Sequence, residues 1–165
     1  MVKFKPKTVY VIFIVASAEK VWQALTSSDF TRKYFWERSV EIEPKVGGAF
    51  TLRLPDGKVN VRGKVTEYDP PRKLTYTWHV EWPEDFSKLP ECLVSYEIAP
   101  AGDAVRLTMT ESHSWEVPEA ILSGGRMGWP AVLSGLKSLL ETGKAPAIAM
   151  EPPQAMIEAI RKLKL

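Results

Sequence analysis

Apolar residues fall on nearly every position from Thr8 to Val15, and then the spacing changes. A short run without alternation predicts a first strand covered on both faces. Ser17 follows as a helix cap, with Lys20 where a capping box would place Glu. Val21, Trp22 and Leu25 share one face at helical spacing, and Ser28-Asp29 restarts a second short helix in which Phe30, Tyr34 and Phe35 cluster.

From Trp36 the period is two. Ser39 to Glu43 reads as a short strand, Gly47-Gly48 as a turn, and Phe50, Leu52 and Leu54 as one face of the next strand. Pro55-Asp56-Gly57 marks a hairpin, after which Val59, Val61, Gly63 and Val65 alternate with Asn60, Arg62, Lys64 and Thr66. Beyond the Pro70-Pro71-Arg72 turn, Leu74, Tyr76, Trp78, Val80 and Trp82 share a face, and His79 takes the opposite, exposed one. Pro83 to Pro90 is a polar loop. Val94, Tyr96 and Ile98, then Val105, Leu107 and Met109, complete the inward sets. Strands joined by short polar turns predict an antiparallel sheet with one apolar face.

The helical period then returns. Pro118 to Leu122 reads as one turn, broken by Gly124-Gly125. Trp129, Val132, Leu133, Leu136, Leu139 and Leu140 form a stripe in a long helix, with Pro130 in its first turn and Gly143 as C-cap. Lys144 to Pro153 is a Pro/Ala linker, and Met156, Ile157, Ile160 and Leu163 form a short amphipathic helix with a basic flank. The expected organisation is one domain over residues 1–145 and a linker with a tail helix over residues 146–165. Pro146, Pro152 and Pro153 are expected to decouple that helix from the fold.

Composition narrows the classes. The 165 residues suit one domain, and 45% apolar residues suffice for a core. A net charge of +2 gives no basic face for nucleic acid. The single cysteine, Cys92, cannot form an internal disulfide and reads as a half-buried strand residue. Two His and one Cys without ligand spacing predict no metal site. The glycine pairs lack the context of a phosphate loop, so no cofactor is expected. The N-terminal apolar run leads into a helix pattern rather than a cleavage site, and no run reaches the roughly 18 apolar residues of a membrane span. The protein is expected to be soluble and cytoplasmic.

Three segments, "GGAFTLRL", "GKVTEYDPPRKLTYTW" and "GWPAVLSGLKSLLETG", resemble the homologues of the activator of HSP-90 ATPase (the AHSA-type family). That family lies within the START/polyketide cyclase (SRPBCC, Bet v 1-like) superfamily, and the similarity runs from Lys7 to Gly143 in the same order. The resemblance implies an α+β helix-grip fold, a curved antiparallel sheet of six or seven strands wrapped around a long C-terminal helix, with a short helix pair after the first strand. It also implies a cavity between sheet and helix, where many superfamily members hold lipids, sterols, polyketides or other apolar molecules. The sequence shows no counterpart of the separate N-terminal domain of the chaperone activators, which favours ligand binding over a co-chaperone role.

The expected partner is therefore an apolar small molecule. Phe50, Leu52, Tyr76, Trp78, Tyr96 and Met109 on the strands, with Trp129, Leu133 and Leu136 on the helix, are the candidate lining; simple core packing is the alternative for each. Glu111 and His113 continue the parity of Leu107 and Met109 and should point inward at the cavity rim, unless the sheet ends or bulges near Met109. There they could orient a ligand hydroxyl or carbonyl, or act as acid and base in a cyclase- or hydrolase-like enzyme. A co-chaperone-like role would use the polar face of the sheet or the tail. The tail helix has three candidate seats: its own domain, a second subunit in a homodimer, or a partner protein or membrane surface.

Overall fold

The computed structural model describes residues 2–165. The chain runs β1 (Lys5–Ile14), α1 (Ala18–Thr26), α2 (Ser28–Tyr34), β2 (Ser39–Ile42), β3 (Ala49–Arg53), β4 (Val59–Asp69), β5 (Lys73–Val80), β6 (Cys92–Ala101), β7 (Ala104–His113), α3 (Glu119–Thr142) and α4 (Gln154–Arg161). A 3-10 turn, Glu84–Lys88, lies in the loop before β6. The seven strands form one antiparallel sheet in the order β1-β7-β6-β5-β4-β3-β2. This is the helix-grip arrangement: the sheet curves round α3, and α1 and α2 fill the gap between the outer strands and that helix.

Local signals account for most boundaries. The Ser17 side chain accepts from Lys20 N at 3.1 Å and starts α1. Gly57, at φ +88°, turns the β3–β4 hairpin, and Gly143, at φ +80°, ends α3 with its N–H on the Leu139 carbonyl at 2.9 Å. The inward positions of the central strands are buried almost completely: Leu74, Val94, Leu107 and Met109 meet Leu133, Leu136 and Leu139 of α3 in one core.

Four expectations need correction. Strand β1 is not covered on both faces. Ile14 is fully buried, but Val9, Val11 and Phe13 are 56%, 51% and 53% exposed. The strand lies at the edge of the sheet with β7 as its one neighbour, and α3 covers only the concave side. Unbroken apolarity therefore reflects a bare outer stripe here, not a second covering layer.

Gly124-Gly125 does not interrupt the last long helix. Helix α3 is continuous from Glu119 to Thr142, with Pro118 as its N-cap and Pro130 inside it. Gly124 lies where α4 crosses: a Cβ there would come within 2.0 Å of the Met156 Sδ. The residue is small because another element passes close by, not because the helix ends.

The prolines do not free the tail. Ile160 is fully buried, Trp36 Nε1 donates to the Ile148 carbonyl at 2.9 Å, and Arg161 pairs with Asp85 at 3.0 Å. Helix α4 packs on α3 and on the 3-10 turn, so the amphipathic face finds its partner on its own chain. Trp82 also departs from the expected inward set: it lies beyond β5, is partly exposed, and carries Lys58 Nζ over its ring at 4.4 Å.

Candidate functional site

The stripe of rings under α3 divides into two parts. In the first, Phe50 of β3 and Tyr76 of β5 stack with ring centroids 3.9 Å apart, and Tyr76 meets Tyr96 of β6 at 6.2 Å. Leu52, Met109, Leu133 and Leu136 close round them. Only a gap of about 10 Å³ is left, too small to hold a ligand. Burial pushes the Tyr34, Tyr76 and Tyr96 phenols above their usual range. Of these, Tyr34 donates its hydroxyl to the Ala24 carbonyl at 2.7 Å.

In the second part there is a cavity of about 520 Å³, partly open to solvent. Trp78 of β5, Glu111 and His113 of β7, and Trp129 of α3 line it. So do Phe35, Trp36 and Arg38 from the α2–β2 link, Phe86 and Leu89 from the loop before β6, and Trp115 beyond β7. Met150, Glu151, Pro152 and Met156 of the tail close one side. Trp78 and Trp129 lie 5.3 Å apart, and Phe35 is within 5.9 Å of Trp129 and 6.4 Å of Trp78.

The polar groups converge on the β7 side. Against β6, strand β7 stays in register, pairing Val94 with Glu111 and Leu93 with Ser112, and the irregularity on its other side falls in β1 between Pro6 and Thr8. Parity then turns Glu111 and His113 inward, with side chains 13% and 11% exposed. Glu111 is held at both oxygens: His113 Nε2 lies 2.8 Å from Oε1, and Trp129 Nε1 donates to Oε2 at 2.8 Å. With the carboxylate on Nε2, that nitrogen carries the imidazole hydrogen and Nδ1 is left as an acceptor. Desolvation, with the Glu111 charge second, raises the Tyr10 phenol to about 12. The same two causes lead in raising the Cys92 thiol well above its usual value. Cys92 also lines the cavity but is held as a neutral thiol, without the electropositive setting that a nucleophile needs.

Of the residues singled out from sequence, Trp78, Glu111, His113 and Trp129 meet at the cavity. Phe50, Leu52, Tyr76 and Tyr96 instead border the small gap, and Met109, Leu133 and Leu136 are core. His79 is on the outer face as parity requires, yet it is half-buried, its Nε2 being 3.1 Å from the Ser87 carbonyl. Sequence reasoning missed Arg38, Trp36, Asn60, Trp115 and the tail residues. One signal existed at Trp36 and Glu37: a turn between α2 and β2 without glycine. Both residues adopt left-handed backbone, φ 46° and 60°, which is uncommon for such side chains and aims Trp36 at the cavity lip. Among the described residues no cluster of His, Cys, Asp and Glu could hold a metal ion. No helix of the described residues is long and apolar enough to cross a membrane.

Comparison with known proteins places this architecture. No curated protein matches the chain. A solved structure of a protein from Mesorhizobium loti is 25% identical, with a TM-score of 0.64, covering 81% of this chain and 96% of that one. The Aha1 dimer from Colwellia psychrerythraea is 23% identical at a TM-score of 0.66, over 83% of this chain and 97% of its own. CalU16 from Micromonospora echinospora is 20% identical at a TM-score of 0.67, over 97% and 90% of the two chains. The last two likenesses speak to the fold alone. Residues 15–141 match the family described as "Activator of Hsp90 ATPase homolog 1-like protein". The sheet gripping a long helix, the resemblance of its motifs and this match over most of the chain lead to one assignment: the protein belongs to the Activator of Hsp90 ATPase homolog 1-like family.

Proposed function

We propose that the protein is a binding module for an apolar small molecule held between the sheet and α3. The observation that supports this is the cavity of about 520 Å³ with aromatic walls and a few polar tips. Small-molecule sites usually have this size and make-up. Trp78 and Trp129 supply the apolar surface, and the Glu111–His113 pair orients a polar group. A cyclase- or hydrolase-like reaction would run through that same pair. A thermal-shift screen of fatty acids, sterols, flavonoids and polyketide-like aromatics tests the reading. A ligand at about 100 times its Kd stabilises the folded state by roughly 2.7 kcal/mol. For a domain of this size that is a melting shift of about 5–10 °C. Trp78→Ala should abolish the shift, while Arg62→Ala, an exposed residue on the outer face, should not. A screen in which no compound class moves the melt would sink the proposal.

A second reading rests on β1. The stripe of Val9, Val11 and Phe13, continued by Val15 just beyond the strand, is more than half exposed at the sheet edge, a surface suited to a protein contact or to a second copy; the Aha1 relative is itself a dimer. Sedimentation of the wild type and of Val11→Lys separates the two. Loss of a dimer in the variant supports a homodimer through β1, and a monomer in both leaves the stripe for another protein.

A further inference from the structure

Among the described residues three buried polar atoms have no hydrogen-bond partner: Asn60 Oδ1, His113 Nδ1 and Trp115 Nε1. All three residues line the one large cavity. Asn60 is only 3% exposed, and its amide nitrogen is already committed to the Trp82 carbonyl at 2.6 Å. A buried donor or acceptor left unpaired costs about 1–3 kcal/mol. Three of them within the wall of one cavity mark where a ligand could supply the missing partners, once a small side-chain shift uncovers atoms that have next to no exposed surface.

The cavity also carries an uncompensated charge. Arg38 is the one Lys or Arg in its lining. Its guanidinium lies 5.8 Å from the Phe35 ring centre and 5.4 Å from that of Trp36. Among the described residues no carboxylate is within ion-pair distance of it. Burial alone shifts its pKa, downward, and no acidic neighbour opposes that shift. The buried anion of the cavity cannot serve it, because Glu111 is engaged at both oxygens by His113 and Trp129. Glu151, also in the lining, is exposed on the tail.

From Arg38 the way across the cavity passes over aromatic surface. Phe35 lies under the guanidinium, Trp129 is 5.9 Å from Phe35, and Trp129 in turn holds Glu111. At that far side His113 Nδ1 needs a hydrogen and Trp115 Nε1 needs an acceptor. A hydroxyl can answer either need, donating to Nδ1 or accepting from the indole N–H. We infer that the ligand of this cavity is a planar hydroxylated carboxylic acid, with its carboxylate on Arg38, its ring system along Phe35, Trp78 and Trp129, and its hydroxyl at His113 and Trp115. The inference rests on the ligand-binding reading and narrows it.

Four probes form a square that tests it: naphthalene, 2-naphthol, 2-naphthoic acid and 6-hydroxy-2-naphthoic acid, titrated calorimetrically into the full chain. A charge-assisted hydrogen bond in a desolvated site is worth at least about tenfold in affinity. 2-Naphthoic acid should therefore bind at least about tenfold tighter than naphthalene, and 6-hydroxy-2-naphthoic acid tightest of all. Sodium chloride should weaken the two acids and leave the other two unchanged. Arg38→Met should remove the advantage of the acids and keep the affinities of naphthalene and 2-naphthol. The wild-type square decides the matter even if that variant does not fold. If naphthalene and 2-naphthol bind and the acids bind no tighter, the cavity is a ligand site and this inference is overturned. If Arg38→Met weakens all four probes alike, Arg38 supports the wall rather than the ligand, and the inference is overturned too. If none of the four binds and the broad screen is also silent, the binding reading falls with it.

Discussion

The two ends of the ring stripe have similar sequences and opposite outcomes. At one end Phe50, Tyr76 and Tyr96 interlock beneath α3 with almost no space left. At the other, Trp78 and Trp129 border a cavity of about 520 Å³. Ring content does not separate them; the covering elements do. The packed end is closed by α1, α2 and the apolar stripe of α3, continuous surfaces that follow the curve of the sheet. The open end is closed by the loop before β6, by residues 150–152 ahead of α4 and by Met156 of α4, a cover made mostly of irregular chain. Large rings fill a space when a regular element presses on them, and frame one when a loop spans over them.

The largest expected effect tests this contrast directly. Phe50→Ala should lower unfolding stability by about 3–5 kcal/mol in a urea titration, because its space lies within rigid packing. Trp78→Ala should cost less, since its ring already borders a void, while removing ligand binding. A loss at Trp78 equal to that at Phe50 would break the comparison. The tail comes next. Ile160→Ala removes a fully buried side chain and should cost about 2–4 kcal/mol. The flexible Met156 side chain can give way to a single Cβ at Gly124 but not to a ring, so Gly124→Phe should release α4 while the sheet stays folded. Limited proteolysis should then cut within residues 144–153, and an uncut tail would show that α4 has another seat. Glu111→Gln should be milder, lowering stability by about 1 kcal/mol, because the Gln oxygen can still accept from Trp129 while its amide donates to His113 Nε2 in the other imidazole tautomer. A loss of several kcal/mol would place Glu111 with the packed end instead.

The smallest effect at neutral pH is the alkaline one, which is zero at pH 7. The Tyr10 phenol is raised to about 12, and burial raises Tyr34, Tyr76 and Tyr96 as well. An unfolded tyrosine ionises near pH 10, so above that pH the unfolded chain has fewer protons bound than the folded one. Stability is then fully present below about pH 10 and falls as pH rises through the folded values. Tyrosinate absorbance should appear together with the loss of near-ultraviolet dichroism. Ionisation of all the tyrosines at pH 10.5 without unfolding would mean that the packed end is open to solvent.

Much of the site was readable for a simple reason. Strand β7 keeps its period of two to the last residue, so the inward placement of Glu111 and His113 followed from Leu107 and Met109. Trp78 and Trp129 came from the same parity and from the helical stripe. Arg38 could not be found this way, because it follows a turn whose left-handed residues at Trp36 and Glu37 carry no glycine signal. Trp115 and the tail residues lie outside any periodic element, where spacing says nothing about direction. The tail prolines suggest hinges, yet α4 docks on its own domain, one of the three seats that the sequence leaves open. Proline stiffens a linker as readily as it separates two elements, and what lies within reach decides the outcome.

The amino-acid sequence alone determined the order of the strands, the turns at Gly57 and Gly143, and the inward parity of β5, β6 and β7. These rest on contacts a few residues apart: a cap, a left-handed glycine, an alternation. Only the tertiary structure decided which face of β1 stays bare, that α3 runs unbroken through Gly124 and Pro130, and which rings face a void. Each of those depends on whether an element distant in sequence covers the surface in question. A side chain's own spacing fixes the direction in which it points, but what it meets there is set by the rest of the chain.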